Sequence, residues 1–221
     1  MSASFPVVAV VGGTGDLGSA IARRLARGGA SVIIGSREAA RAQAAATELS
    51  RGLETAIRGA SNADAAAGAE VVIVTVPFAA QARTLADIRA HVANKIVVDT
   101  TVPLVPPKVM RVQLPPEGSA AVLAQKILGE GVTVVSAFHN VAAHKLARDE
   151  DVQCDVLVFG DSKDARAQVI RLVEACGLRG LHGGALVNSV AAEALTSVLI
   201  FINKHYAVDG AGLRITGSIS S

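Results

Sequence analysis

Tryptophan is absent, tyrosine occurs once and phenylalanine five times in 221 residues, which leaves no set of aromatic platforms on which the bases of a single-stranded nucleic acid could stack. A surplus of one charge is missing too. The 21 basic residues face 19 acidic ones for a net charge of +2, and they are scattered among acids instead of forming the stripe that marks a nucleic-acid binder. Cysteine is scarce: Cys154 and Cys176 give neither a disulfide framework nor a metal-ligand spacing, so small buried thiols and no metal are expected. The N-terminus lacks the basic region of a signal peptide, and its short apolar run breaks into glycines. The most apolar long segment, 185–202, is interrupted by Asn188 and Glu193, which favours a buried or interfacial helix over a membrane span. A soluble cytoplasmic protein with no nucleic-acid or membrane partner is expected.

What the chain does have is apolar material and glycine. Half of it (51%) is apolar, enough to bury one substantial core. Short β-branched runs alternate with longer helical patterns, the sequence form of βαβ units around a parallel sheet. Strands are expected over 7–11, 31–35, 71–76, 95–99, 132–136, 155–159 and 178–182, several of them apolar throughout, as strands covered on both faces are. Leu17, Ile21 and Leu25 recur at helical spacing and Gly28-Gly29 ends the pattern. Further helices are expected over 37–50, 79–92 and 119–128, from Ser61, from an Asp161-Ser162 cap through Cys176, and over 185–204. Five of the seven prolines fall within Thr100 to Pro116, which reads as a loop. The fold expected is α/β: a Rossmann-type doubly wound parallel sheet in 1–184, with a small C-terminal helical appendage in 185–221.

The chemistry begins at Gly12-Gly13-Thr14-Gly15-Asp16-Leu17-Gly18. Gly13, Gly15 and Gly18 fit G-x-G-x-x-G between an expected strand and an expected helix, the context that turns a weak pattern into a dinucleotide site. The first glycine permits a tight turn, the second close approach of a pyrophosphate, the third close packing of helix and strand, and the helix N-terminus offers its free N–H groups to the phosphates. Thr14 adds a hydroxyl within the turn. The second strand ends Gly35-Ser36-Arg37 where an NAD site has an acid, and Arg41 follows one helical turn later. Ser36, Arg37 and Arg41 are three phosphate-compatible groups at the position of the adenosine ribose, which favours NADP(H) over NAD(H). Glu38 is the nearby acid and is assigned to the helix dipole.

The glycine turn also resembles that of short-chain dehydrogenases, but their Tyr and Lys four residues apart are missing: the sole tyrosine is Tyr206, and position 210 is glycine. Across nearly the whole chain the ordered motifs, namely the glycine turn, Gly35-Ser36-Arg37 with Arg41, Thr75-Val76-Pro77-Phe78, Val134 to His139, Cys154 to Asp161 and Leu186-Val187-Asn188-Ser189, resemble the F420-dependent NADP reductases. That resemblance implies hydride exchange between NADP(H) and the deazaflavin F420 as co-substrate, in a cleft beside the C-terminal appendage. It implies that Thr75, Val76 and Pro77 border the nicotinamide, that His139, Val141 and Ala143 line the acceptor pocket, with His139 positioning or hydrogen-bonding the acceptor, and that the protein is a homodimer. The apolar stripe of the C-terminal helix, at the end of a chain whose sheet is already covered, is the surface expected to meet the partner subunit. Two alternatives stay open: an NADPH-dependent reductase of the same fold acting on a flavin, ferric chelate, imine or carbonyl compound, and a non-catalytic NADP(H) sensor.

Overall fold

The computed structural model describes residues 5–218. Among the described residues eight strands form one sheet: β1 (Val8–Val11), β2 (Val32–Ser36), β3 (Arg58–Ser61), β4 (Val71–Val74), β5 (Ile96–Asp99), β6 (Thr133–Ser136), β7 (Asp155–Phe159) and β8 (Arg179–Gly184). Their spatial order is β3-β2-β1-β4-β5-β6-β7-β8. Around them lie α1 (Asp16–Arg27), α2 (Ala39–Leu49), α3 (Asn62–Ala67), α4 (Phe78–Ile88), α5 (Ala120–Leu128), α6 (Ala143–Leu146), α7 (Lys163–Ala175) and α8 (Ser189–Tyr206). The strands from β3 to β6 are parallel, β7 meets β6 antiparallel through the register pair Ser136–Phe159, and β8 runs parallel to β7. The order reverses between β1 and β4, and open α/β sheets bind ligands at the carboxyl ends of the strands at such a switch point.

Alternating side chains of β1 explain why its sequence is apolar without a break. Val8 and Val10 enter a core layer with Ile21 and Leu25 of α1 and Leu172 of α7, while Ala9 and Val11 enter the opposite layer with Ala65 of α3, Leu85 of α4 and Ala124 of α5. Successive residues of a strand face opposite sides, and both sides here are covered. Cys154 and Cys176 are free and buried.

Four elements differ from expectation, the first being the one-turn helix α6, Ala143–Leu146, which sequence reading does not anticipate. Strand β3, Arg-Gly-Ala-Ser, has no β-branched apolar residue; it is an edge strand pressed under α2, where a Cβ on Gly59 would stand 2.4 Å from the Ala42 carbonyl carbon. Helix α7 is capped by Ser162 alone, whose Oγ accepts from Ala165 N, whereas the Asp161 carboxylate accepts from Leu186 N at 3.0 Å. The last helix starts at Ser189, after a short 3-10 turn over Leu186–Asn188. The proline-rich segment 100–119 is loop, as expected.

By length and apolar composition the segment Leu186–Tyr206 could cross a membrane, yet α8 buries Ser189, Ala192, Glu193, Ser197 and Leu199 against the protein. Beyond it the chain returns along β7. Asp155 N donates to Leu213 O at 2.8 Å, and the Asp155 carboxylate accepts from Ile215 N and from both Nε and Nη2 of Arg179. Arg179 holds that carboxyl below the usual carboxylate range.

Candidate active site

The glycine turn leaves β1 at the switch point. Its left-handed residue is Gly12 (φ +76°), one position before the first glycine of the motif. Gly13 and Gly18 are packing positions: a Cβ on Gly13 would lie 2.7 Å from Val10 O and 2.8 Å from Ile34 Cβ, and one on Gly18 would lie 2.4 Å from Thr75 Oγ1 and 2.9 Å from Gly12 O. Gly15 is different, because a Cβ there would meet only Gly12 O, at 3.5 Å. This open side belongs to the N-cap of α1, which carries no side-chain cap. The leading amides of the helix, including those of Asp16 and Leu17, therefore keep their donors free, and the positive end of the dipole faces the same way.

A cavity of about 450 Å³ opens over this turn. Gly12, Thr14 and Gly15 form its floor, Ser36, Arg37 and Arg41 one wall, and Thr75, Val76 and Pro77 with the first turns of α4 the other. Gly13, Asp16, Leu17 and Gly18 do not line it; they shape the turn and helix beneath. Ser36 is nearly buried, and its Oγ accepts from Glu38 N at 3.4 Å. Arg37 and Arg41 are exposed and form no ion pair among the described residues, although Glu38 stands on the same wall. Two guanidinium groups without protein acceptors, next to uncapped amides, make an anion site for a ligand with more than one phosphate.

Sequence reading did not single out Asn62, Arg83 and Asp87, which share this cavity. Asn62 opens α3, and its Oδ1 accepts from Gly12 N at 3.4 Å. Its place in Ser-Asn-Ala-Asp spoke only of a helix start, which Ser61 indeed caps. Arg83 and Asp87 lie one turn apart on α4, and only the helix phase, which needs the neighbouring elements to be fixed, turns them toward the cavity.

A second, smaller cavity of about 190 Å³ lies at the ends of β6 and α8. His139, Val141 and Ala142 line it from the sheet side, Thr196, Leu199 and Ile200 from α8, and Gly210 and Ala211 from the returning tail. Ala143 begins the short helix α6 and is not part of the lining, whereas its neighbours Ala142 and His144 are. Phe138, buried at φ +69°, turns the chain out of β6. His139 is buried, its Nε2 stands 2.8 Å from Ser136 Oγ, and burial holds its pKa down to about 4, so the imidazole is neutral at pH 7. Thr196 Oγ1 donates to His139 O at 3.0 Å, and Asn140 Nδ2 donates to Ala192 O at 2.9 Å.

Between the two cavities, beneath the end of β5, is a buried polar cluster. Asp99 Oδ1 accepts from Thr101 Oγ1 at 2.6 Å and Oδ2 from Gln81 Nε2 at 2.7 Å. Burial first, and then the charge of Glu193, raise its pKa to about 7 against the opposing hydrogen bonds from Thr101 and Gln81. A further depression of about 690 Å³ is elsewhere, an open and mainly apolar trough between α5 and the 3-10 turn Leu186–Asn188. Of its polar side chains, Gln125 is bonded to Gly129 and Val132, Lys126 to Glu117 and Asp161 to Leu186, and volume alone does not make a site. Among the described residues no three His, Cys, Asp or Glu side chains gather as a metal site.

Comparison with known proteins agrees with this geometry. A sequence profile of the family described as NADP oxidoreductase, coenzyme F420-dependent, matches residues 7–103. The chain is 42% identical to the F420-dependent NADP reductase of Methanothermobacter thermautotrophicus, across 95% of this chain and 94% of that one. It is 40% identical to the F420-dependent NADP reductase of Methanocaldococcus jannaschii, across 95% and 97%. A crystal structure from Arthrobacter sp., provisionally described as an F420-dependent NADP reductase, superposes with a TM-score of 0.80 at 27% identity, over 96% of this chain and all of that one.

Proposed function

The chain belongs to the family of F420-dependent NADP reductases, and on that premise we infer an NADP-dependent oxidoreductase that exchanges a hydride between NADP(H) and the deazaflavin coenzyme F420. The observation that carries the dinucleotide is the uncapped N-terminus of α1 facing the same cavity as Ser36, Arg37 and Arg41. In this reading the turn Gly13 to Gly18, with Thr14 Oγ1, holds the pyrophosphate, and Ser36, Arg37 and Arg41 hold the 2′-phosphate. Thr75, Val76 and Pro77 border the nicotinamide, and the cavity between His139, Val141 and α8 takes the acceptor. When bound, the reduced nicotinamide supplies the hydride and the deazaflavin receives it.

The demand on the protein is therefore positional: two flat rings held in contact and shielded from water. Val141, Leu199 and Ile200 supply apolar walls suited to a ring. His139 serves as a neutral hydrogen-bonding group. In the tautomer where Ser136 Oγ donates to Nε2, the proton sits on Nδ1 and is available to an acceptor heteroatom. We assign residues 185–221 to the acceptor wall and to contact with a second subunit, and 1–184 to the dinucleotide; residues 1–4 and 219–221 of these two segments lie outside the described residues. The outer face of α8 exposes Val198, Phe201 and Tyr206, and the neighbouring loop exposes Met110, Val112 and Leu114, an apolar patch that a second copy would cover in a cytoplasmic homodimer. On this reading Phe201→Asp converts the dimer to a monomer in sedimentation velocity; an unchanged sedimentation coefficient removes α8 from the interface.

The deciding experiment mixes the protein with NADPH and, separately, F420, FMN, ferric chelates and a panel of imines and carbonyl compounds. Turnover with F420 alone is expected. Turnover only with another acceptor replaces F420, and tight NADPH binding without turnover makes the protein a sensor. Arg37→Ala is expected to raise the NADPH dissociation constant at least about tenfold, since a charge-assisted hydrogen bond contributes roughly 1.5 to 3 kcal/mol. NADH binding should stay within about twofold. Equal losses for both nucleotides would put the 2′-phosphate elsewhere.

A further inference from the structure

A buried carboxylate in α8 lines neither cavity. Glu193 is 1% exposed, and its carboxylate reaches across the sequence to the first turn of α5, accepting from Ala120 N at 2.6 Å and Ala121 N at 3.2 Å. Ser119, the N-cap of α5, already satisfies Val122 N. Glu193 therefore takes amides that the local cap leaves over. Ser189 Oγ, one turn earlier on α8, stands 3.0 Å from both Glu193 Oε1 and Ser119 Oγ.

The bonds continue in both directions. Ala120 O accepts from Gln81 Nε2, on the first turn of α4 just past Pro77, and Gln81 Nε2 also donates to Asp99. Thr100, the residue after Asp99, donates its hydroxyl to Val74 O, which fixes the end of β4 immediately before Thr75. On the other side, the turn of α8 that carries Glu193 also carries Ala192, whose carbonyl accepts from Asn140, and Thr196, whose hydroxyl donates to His139 O. A single turn of helix is thus tied by its buried carboxylate to the nicotinamide wall and by its neighbours to the acceptor wall.

Stability alone gives little reason for this arrangement. Burying a carboxylate is costly, and a well-packed apolar residue often serves a core equally well; buried charge is better attested as a device that fixes register. We propose that Glu193 is a positioning residue: by taking the two leading amides of α5 it sets the register of α8 along the sheet edge, and with it the separation between Thr75–Pro77 and the acceptor wall of Thr196, Leu199 and Ile200. The proposal rests on the placement of NADP(H) and F420 in the two cavities.

The test compares the native chain with Glu193→Leu, which removes the acceptor, and Glu193→Gln, which keeps one carbonyl oxygen for the two amides. For each, NADPH and F420 dissociation constants are measured by fluorescence, amide exchange is followed at Ala120 and Ala121, and hydride transfer is measured in a single turnover at saturating concentrations of both. Glu193→Leu is expected to speed exchange at both amides, leave NADPH affinity within about twofold, weaken F420 at least about tenfold and slow the single turnover by a similar factor. Glu193→Gln should recover more than half of each loss on a logarithmic scale. Native F420 affinity and native single-turnover rate in folded Glu193→Leu would overturn the proposal, as would equal weakening of NADPH and F420. If Glu193→Leu does not fold, Glu193→Gln decides by the same criteria, with smaller losses expected. Val141→Asp is the control for the cavity itself: unimpaired F420 binding in that variant refutes the placement of the acceptor, whatever Glu193 does.

Discussion

As the pH rises from about 4 to about 7, an Asp99→Asn variant gains stability relative to the native chain by on the order of 4 kcal/mol. Folding raises the pKa of Asp99 from 3.8 to about 7. Throughout that interval the folded protein holds a proton that the unfolded chain has released, so each unit of pH costs the native state about 1.4 kcal/mol. Asparagine cannot ionise and escapes this loss. His139 works in the opposite sense: burial lowers its pKa from 6.5 to about 4, so the native state loses stability as the pH falls through that window. The two slopes oppose each other and flatten the native curve, and Glu193, also raised by burial, adds to the slope of Asp99. Differences between variant and native chain separate the contributions. Urea melts at half-unit pH steps should show Asp99→Asn overtaking as pH rises, and His139→Asn gaining as pH falls from 6.5 to about 4, by on the order of 3 kcal/mol. In thermal melts the Asp99 effect corresponds to roughly 10 °C. A difference that does not vary with pH would mean that Asp99 is ionised in the folded protein despite complete burial.

Gly18→Ala is expected to destroy the proposed dinucleotide site without touching the ligand. The added methyl would stand 2.4 Å from Thr75 Oγ1 and 2.9 Å from both Gly12 O and Gly13 Cα. Thr75 cannot simply rotate away, because its hydroxyl donates to Val11 O at the end of β1. Nor can Gly12 and Gly13, whose positions define the turn. The helix must back off, costing about 3 kcal/mol as overpacking does, which would draw the amides of the α1 N-terminus away from the proposed pyrophosphate position. NADPH affinity should fall by about 100-fold, since loss of several charge-assisted hydrogen bonds is involved. Gly29→Ala is the matched comparison: its φ of +92° carries strain, but nothing lies within 4 Å of the added methyl. That variant should lose about 1 kcal/mol and bind NADPH normally. Full NADPH affinity in Gly18→Ala would move the dinucleotide away from this turn.

Features that depend on local periodicity were legible in the sequence. The glycine turn, the apolar strands around it and the Ser36-Arg37 ending each need only a few consecutive residues, and covering both faces of the sheet leaves an unbroken apolar run that is hard to misread. What escaped depends on partners distant in the chain. Strand β3 exists because α2 presses a glycine against its backbone, not because Arg-Gly-Ala-Ser favours extension. Asp161 looked like a cap, yet it serves an amide 25 residues on. Glu193 looked like an interruption in an apolar helix, and its meaning depends on two amides 73 and 72 residues away. Arg83 carries no local signal at all.

The position of Tyr206 has an optical consequence. It is the sole tyrosine of a chain without tryptophan, 69% exposed at the end of α8 and in edge contact with the ring of His205. Every other part of the protein is dark in tyrosine emission, so a lifetime or quenching measurement excited near 280 nm reports from one address, the rim of the face assigned to the second subunit. The same silence clears the background for nicotinamide and deazaflavin fluorescence, which makes subunit association and ligand binding separable in one cuvette without a label.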